Sequence, residues 1–282
     1  MIVAGGAWNM GTVKIFGDRN CSIPNLPFGM SVSPQMFLND KKEIIICGGN
    51  TKSCLRLEDG NWQEYAELNQ ERGDASGISM GNTLYMFGGG WTYETEELPT
   101  SITRTSEMLI DGKWMAGPVI PGKGVDKSCA VAISKTELLL IGGFRMNGNK
   151  IIKYNIQTNN WTEVGILHDT RNNHRCLLFK NKVFIISGCC TKSVETFSLD
   201  TMKTLNDSEL QLHRQMPGAG FIHYKGKLSM VVFGGTGSKE TYGSFEFYDE
   251  GSKSWHLSDT LRYTLENYMF GYLTVPSHII CP

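Results

Sequence analysis

A recurring pair of glycines limits what this chain can fold into more than any other feature. Pairs stand at Gly5-Gly6, Gly48-Gly49, Gly88-Gly89, Gly142-Gly143 and Gly234-Gly235, with Gly188-Cys189 as a degraded copy. From first glycine to first glycine the spacings are 43, 40, 54, 46 and 46 residues. A period of about 40–50 residues means a radial or solenoid array of units that cannot bury their own faces alone. An apolar run leads into each pair, as in Ile44-Ile45-Ile46, Leu138 to Ile141 and Met230 to Phe233. An alternating segment follows each, including Cys54 to Leu57, Glu107 to Ile110, Val194 to Phe197 and Phe245 to Tyr248. Trp62, Trp114, Trp161 and Trp255 close four of the units just after a turn. Six units therefore repeat in phase.

These motifs resemble those of kelch-repeat β-propellers and cover nearly the whole chain. The resemblance implies an all-β, six-bladed propeller with four antiparallel strands per blade, one domain over residues 1–282. Physics agrees with it. A four-stranded blade cannot bury both faces by itself, whereas six packed radially bury each face on a neighbour. Glycine is expected where the second strand ends, because backbone packs closely there and a positive φ is required. The fourth-strand tryptophan supplies a flat surface to wedge between blades. The chain starts on the second strand of a blade, Met1 to Ala4, so its first strand is expected from the far end, within Tyr268 to Val275. Ring closure by the C-terminal segment is thus expected. A Cys21–Cys281 bond would lock it.

A net charge of −1 and a pI near 6.6 argue against an electrostatic grip on nucleic acid, which calls for a clustered basic surface. No stretch approaches the roughly 18 apolar residues of a membrane span. No leader is visible, and Met1 falls almost on a blade strand, as expected if a natural precursor has been trimmed. Of the eight cysteines, Cys47 and Cys54 flank a glycine turn on adjacent antiparallel strands, where Cβ atoms reach bridging distance. Their disulfide is expected. Cys129 and Cys176 occupy matching first-strand positions in successive units, and the sequence leaves open whether they pair or are ordinary buried thiols. No zinc-finger CxxC spacing occurs. The triplets at Asn20, Asn160 and Asn206 match the glycosylation sequon. With the cysteines, they point to a secreted protein, with a cytoplasmic one as the alternative.

Function is expected in the loops, which vary more than the strands. In the kelch arrangement, the connections after each glycine pair and those entering each next blade open on one face. The longest post-glycine connection runs from Gly90 to Ser106 and carries Trp91, Tyr93, Glu94, Glu96, Glu97 and Arg104. A loop that long in a compact array is functional or disordered. It is expected to form the main wall of a binding face. Arg145 lies in the fourth-unit loop, and the inter-unit connections bring Arg72, Lys123, Arg171, Arg175 and Arg214 towards the same face. These basic residues are expected either to face a ligand or to pair on a solvated rim with Asp74, Asp126 and Asp169.

No HExxH motif or phosphate loop is present. His168, His174 and His213 cluster in inter-unit connections, where bonding to loop backbone is the expected role, and neither metal nor cofactor is expected. The resemblance also covers copper radical oxidases similar to galactose oxidase, sugar mutarotases and iron-dependent specifier proteins, but none of their site residues carries over to this chain. Fold does not imply function. A non-catalytic, monomeric module binding a protein, peptide or small ligand is the expectation, and an enzyme with a site at the channel mouth is the alternative. These 282 residues hold no BTB-type adaptor domain, so a substrate-adaptor role would require a separate chain or further sequence.

Overall fold

A computed structural model describes residues 1–4, 11–15, 22–30, 33–90, 103–122, 124–144, 148–189, 191–262 and 270–275. All regular elements among them are β-strands, arranged as six blades. The second blade holds β3 (Gln35–Leu38), β4 (Ile44–Cys47), β5 (Cys54–Glu58) and β6 (Asn61–Glu64). The third holds β7 (Ser76–Met80), β8 (Thr83–Phe87), β9 (Ser106–Ile110) and β10 (Lys113–Ala116). The fourth runs through β11 (Cys129–Ala132), β12 (Glu137–Ile141), β13 (Lys150–Asn155) and β14 (Asn160–Ile166). In the fifth are β15 (Arg175–Phe179), β16 (Lys182–Ile186), β17 (Ser193–Ser198) and β18 (Lys203–Glu209). The sixth holds β19 (Gly218–Tyr224), β20 (Lys227–Phe233), β21 (Ser244–Asp249) and β22 (Ser254–Arg262). Each of these five is a four-stranded antiparallel meander.

The first blade is closed from both ends of the chain. Its β1 (Ile2–Ala4) pairs with β2 (Val13–Ile15) on one side and with β23 (Gly271–Leu273) on the other. Register runs Ile2 to Leu273, Val3 to Tyr272 and Ala4 to Gly271. The C-terminal strand therefore completes the N-terminal blade. The innermost strands β23, β3, β7, β11, β15 and β19 touch in cyclic order and line a central channel.

Second strands explain the stability of the ring. β4 is buried along its whole length, as are the last four residues of β8, β12 and β16. Each faces a neighbouring blade on both sides, so continuous apolar runs replace the alternation of a half-solvated strand. Each such Val, Leu, Ile or Phe contributes about 1.5–3 kcal/mol through removal from water. Glycine ends these strands for a steric reason. Gly142 has φ 61°, and a Cβ there would lie 2.6 Å from the Arg171 carbonyl of the next blade.

One register assignment is corrected. The degraded pair of the fifth blade is Ser187-Gly188, not Gly188-Cys189. Ser187 has φ 58° and bonds Ser193 as Gly142 bonds Lys150, while Gly188 reaches Arg214 as Gly143 reaches Arg171. The Ser187 hydroxyl donates to the Arg214 and Thr191 carbonyls, anchoring a non-glycine residue in the left-handed region.

The tryptophans wedge between blades. Trp62, Trp114 and Trp255 are buried. Their indole N–H groups donate backwards, to the Pro24 carbonyl, the Ala66 carbonyl and the Ser208 hydroxyl of the preceding blades. In the fourth blade, Trp161 instead lies tilted against Tyr154 at 4.9 Å and edge-on to Phe87 of the third blade at 5.7 Å between centroids.

Candidate binding face and the clasps beneath it

Five residues at one register position, just before the innermost strands, share a positive φ: Ser33 at 46°, Asp74 at 52°, Lys127 at 54°, Asn173 at 58° and Met216 at 51°. Backbone bonds join four of them around the channel mouth. Lys127 N–H donates to the Asp74 carbonyl, Asn173 to Lys127, and Met216 to Asn173, at 2.8, 2.9 and 2.9 Å. The twisted connection thus turns each peptide towards the next blade, and the blades are laced by main chain as well as by packing.

Below this ring lies a cavity of about 280 Å³, bordered by Asp74, Lys127, Ser128, Asn173, Arg175 and Tyr272 among others. Burial pushes the Asp74 carboxyl up even though the Lys127 ammonium stands 3.7 Å away. Arg175 rests its guanidinium 5.5 Å from the Tyr272 ring centroid and donates to the His174 carbonyl. Burial raises the Tyr272 phenol. Phe144 is 41% exposed on the post-glycine loop of the fourth blade, with the Lys127 ammonium 5.5 Å from its ring. Sequence reasoning passed over Lys127 and Phe144. The available signal was an aromatic directly after Gly142-Gly143, next to Arg145.

Three of the arginines expected on the rim lie inside the blades. The side chains of Arg72, Arg171 and Arg214 have no exposure to solvent. Arg72 Nε meets Glu107 at 2.9 Å, Arg171 meets Glu195 at 2.8 Å and Arg214 meets Glu246 at 2.9 Å. The rest of each guanidinium clasps the strand-ending loop. Arg171 donates to the Ser187 and Ser193 carbonyls and the Ser193 hydroxyl. Arg72 does the same with Gly88 and Thr105, and Arg214 with Gly234 and Ser244. Burial works against the charged Glu195 carboxyl, but the His168 N–H and the Arg171 guanidinium outweigh it and hold it below the usual carboxylate range. Asp74 pairs with Lys127 rather than with these arginines. The glutamates sit at one offset in the alternating strands, a signal the sequence carried.

The clasp is not built in every blade: the second holds Leu55 at the glutamate position, and the fourth lacks both partners. Val125 occupies the arginine position, because its carbonyl accepts from Gly89 N–H as that of Arg171 accepts from Gly143 N–H. Ile152 occupies the glutamate position, opposite Leu140. Both belong to one apolar cluster.

Cys47 and Cys54 form the expected disulfide, directly opposite each other with Cα atoms 4.2 Å apart. Cys129 and Cys176 also pair, joining β11 to β15 between the fourth and fifth blades with Cα atoms 5.9 Å apart. Such bonds fit oxidising surroundings. Trp91, Tyr93, Lys123, Arg145, Cys21 and Cys281 lie outside the described residues.

Among known proteins, the kelch repeat protein M-T8 of Myxoma virus (strain Lausanne) is 22% identical over 181 residues, 62% of this chain. The kelch repeat and BTB domain-containing protein 1 of Camelpox virus (strain CMS) is 25% identical over 170 residues, 58% of this chain. The six-bladed fold and these matches make the chain similar to kelch-repeat proteins. No protein-family model matches it. The matches span 34% and 28% of the two viral proteins, about a third of their lengths. Propeller and kelch relatives together support a protein-interaction module. No helix among the described residues is long and apolar enough to cross a membrane.

Proposed function

We propose that this propeller is a non-catalytic binding module that docks a protein or peptide on the face where the channel opens. The observation that carries this reading is Phe144, a large ring left 41% exposed beside the Lys127 ammonium, which itself borders the cavity. An exposed aromatic next to fixed charges, on a scaffold laced by main-chain bonds, is the composition of an interface hot spot. Asp74, Lys127 and Arg175 make the mouth bipolar, which suits a partner segment carrying both signs of charge. Arg145, next to Phe144 in sequence, and Trp91 and Tyr93 in the longest connection are proposed as further contacts. Arg72, Arg171 and Arg214 serve by shaping the connections beneath. The camelpox relative is named for a BTB domain beside its kelch repeats, and this chain is proposed to supply the same kind of recognition surface.

The test compares partner capture by the wild type, by Phe144→Asp/Lys127→Glu, and by a chain with residues 91–102 replaced by a short Gly-containing turn. Affinity for a captured partner should fall by about 30-fold or more in the double variant, the size of a hot-spot loss, with the melting temperature unchanged. Equal capture by all three chains moves the binding surface to the opposite face or the blade edges.

A further inference from the structure

His174 is 0% exposed. The Ile141 backbone is within reach of its ring, but neither ring nitrogen makes a well-formed hydrogen bond. A neutral imidazole has one nitrogen to donate and one to accept, so this backbone contact still leaves a buried acceptor nitrogen without a partner. The ring is held in place. Gly142 leaves the space the ring fills, since a Cβ there would lie 2.8 Å from Cε1, and Gly188 packs against the His174 Cβ. A ring nitrogen and the sulfurs of Cys129 and Cys176 all lie within 4.8 Å of one another, and all three residues are buried. The cysteines border the central cavity while the histidine stands behind them.

We propose that Cys129, Cys176 and His174 form a zinc site between the fourth and fifth blades, loaded when the Cys129–Cys176 bond is reduced. Two thiolates and one imidazole are a donor set that zinc takes in three-ligand sites, with the fourth position left to water or a ligand. Because both cysteines border the cavity, such a ligand would reach the ion from there. Zinc takes a tetrahedral set without any d-electron preference, so small shifts of ligands from two blades suffice to complete it. Charge favours the complex as well. Arg171 and Arg175 flank the histidine. A zinc ion with two thiolates is itself neutral, so it meets no repulsion from them. Two small thiols reduce the bond, giving one small-molecule disulfide and two cysteine thiols. Zinc then binds both sulfurs and releases two protons. Disulfide and metal are thus alternative cross-links of the same two blades.

The test uses the full chain, reduced and then freed of reductant, titrated with zinc against a chromophoric chelator, with Co²⁺ as a spectroscopic substitute. The reduced wild type should take up one zinc and the oxidised chain none. Cys129→Ser, Cys176→Ser and His174→Asn should each weaken binding by more than about 100-fold, beyond the loss typical of disturbing an outer partner. The cobalt form should show a thiolate-to-metal charge-transfer band, which needs no variant and so survives any folding defect. A reduced chain that takes up no zinc, a cobalt form lacking that band, or affinities unchanged by the substitutions would each overturn the proposal.

Discussion

In the fifth blade, Arg171 buries its guanidinium against Glu195 and closes on the Ser187 and Ser193 carbonyls. One blade earlier the same two positions hold Val125 and Ile152, in a single apolar cluster. Strand order is the same in both. The clasp is therefore one of two ways to fill that space, not a condition for building a blade. A buried ion pair gives back most of its Coulomb gain as desolvation, so an apolar pair of suitable shape can replace it at little cost. Its distinct contribution is to tie an incoming connection to the loop that ends the second strand. In the fourth blade the loop carries the exposed Phe144, and Trp161 lies edge-on to Phe87 and tilted against Tyr154, where the other three tryptophans bond the blade before.

The sharpest way to break the comparison is to unpair one clasp. Arg171→Met should destabilise the chain by about 3–5 kcal/mol, because Glu195 is left as an uncompensated buried charge. The double change Arg171→Val/Glu195→Ile, which writes the fourth-blade solution into the fifth, should lie within about 1.5 kcal/mol of wild type. Urea denaturation of the three proteins decides it. A double variant as unstable as the single one would mean the clasp makes a net contribution that apolar packing cannot replace.

The converse change puts half a clasp where none exists. Ile152→Glu should cost about 3 kcal/mol at pH 7. Its carboxyl has no cation opposite it, so burial raises its pKa. The unfolded state then releases its proton at lower pH than the folded state, and part of the loss should be recovered on acidification towards pH 4. Thermal melts of variant and wild type at the two pH values should converge, and a gap that widens in acid would contradict the placement of Ile152.

The last comparison is between the residues that follow the lacing ring, His174 in the fifth blade and Ser128 in the fourth. Burial, with Arg171 and Arg175 adding to it, lowers the His174 pKa to about 3 from an ordinary 6.5. The unfolded chain therefore binds a proton that the folded chain refuses, so stability is full above pH 6.5 and is lost as pH falls towards 3. The slope should reach at most about 1.4 kcal/mol per pH unit. Glu195, with its carboxyl held low, titrates in the same direction. The readout is thus the difference between wild type and His174→Asn, which should lose this part of the slope. Identical slopes would show that His174 is not buried as described.

Much of this was legible because it repeats. The glycine pairs, apolar second strands and tryptophans each mark a fixed place in a unit, so the unit count and strand order follow from spacing. The side to which a connection points its side chains does not repeat in a readable way. Arg72, Arg171 and Arg214 stood out as equivalent positions, yet a basic residue in a loop reads as solvated until its carboxylate is found, and Glu107, Glu195 and Glu246 stand 35, 24 and 32 residues further on. Ser187-Gly188 was misread by one residue because a serine at positive φ is not expected from composition.

The sequence by itself determined a six-unit β array, the burial of its second strands, and Cys47 facing Cys54 across one turn. All of these are set by contacts within a unit, where strand alternation and turn geometry leave a single register. Only the tertiary structure decided that the arginines turn inward, that the positive-φ residues lace the channel mouth, and that Cys129, His174 and Cys176 converge. Those contacts join blades, and the angle at which one blade packs on the next is fixed by closure of the whole ring, which no local pattern encodes.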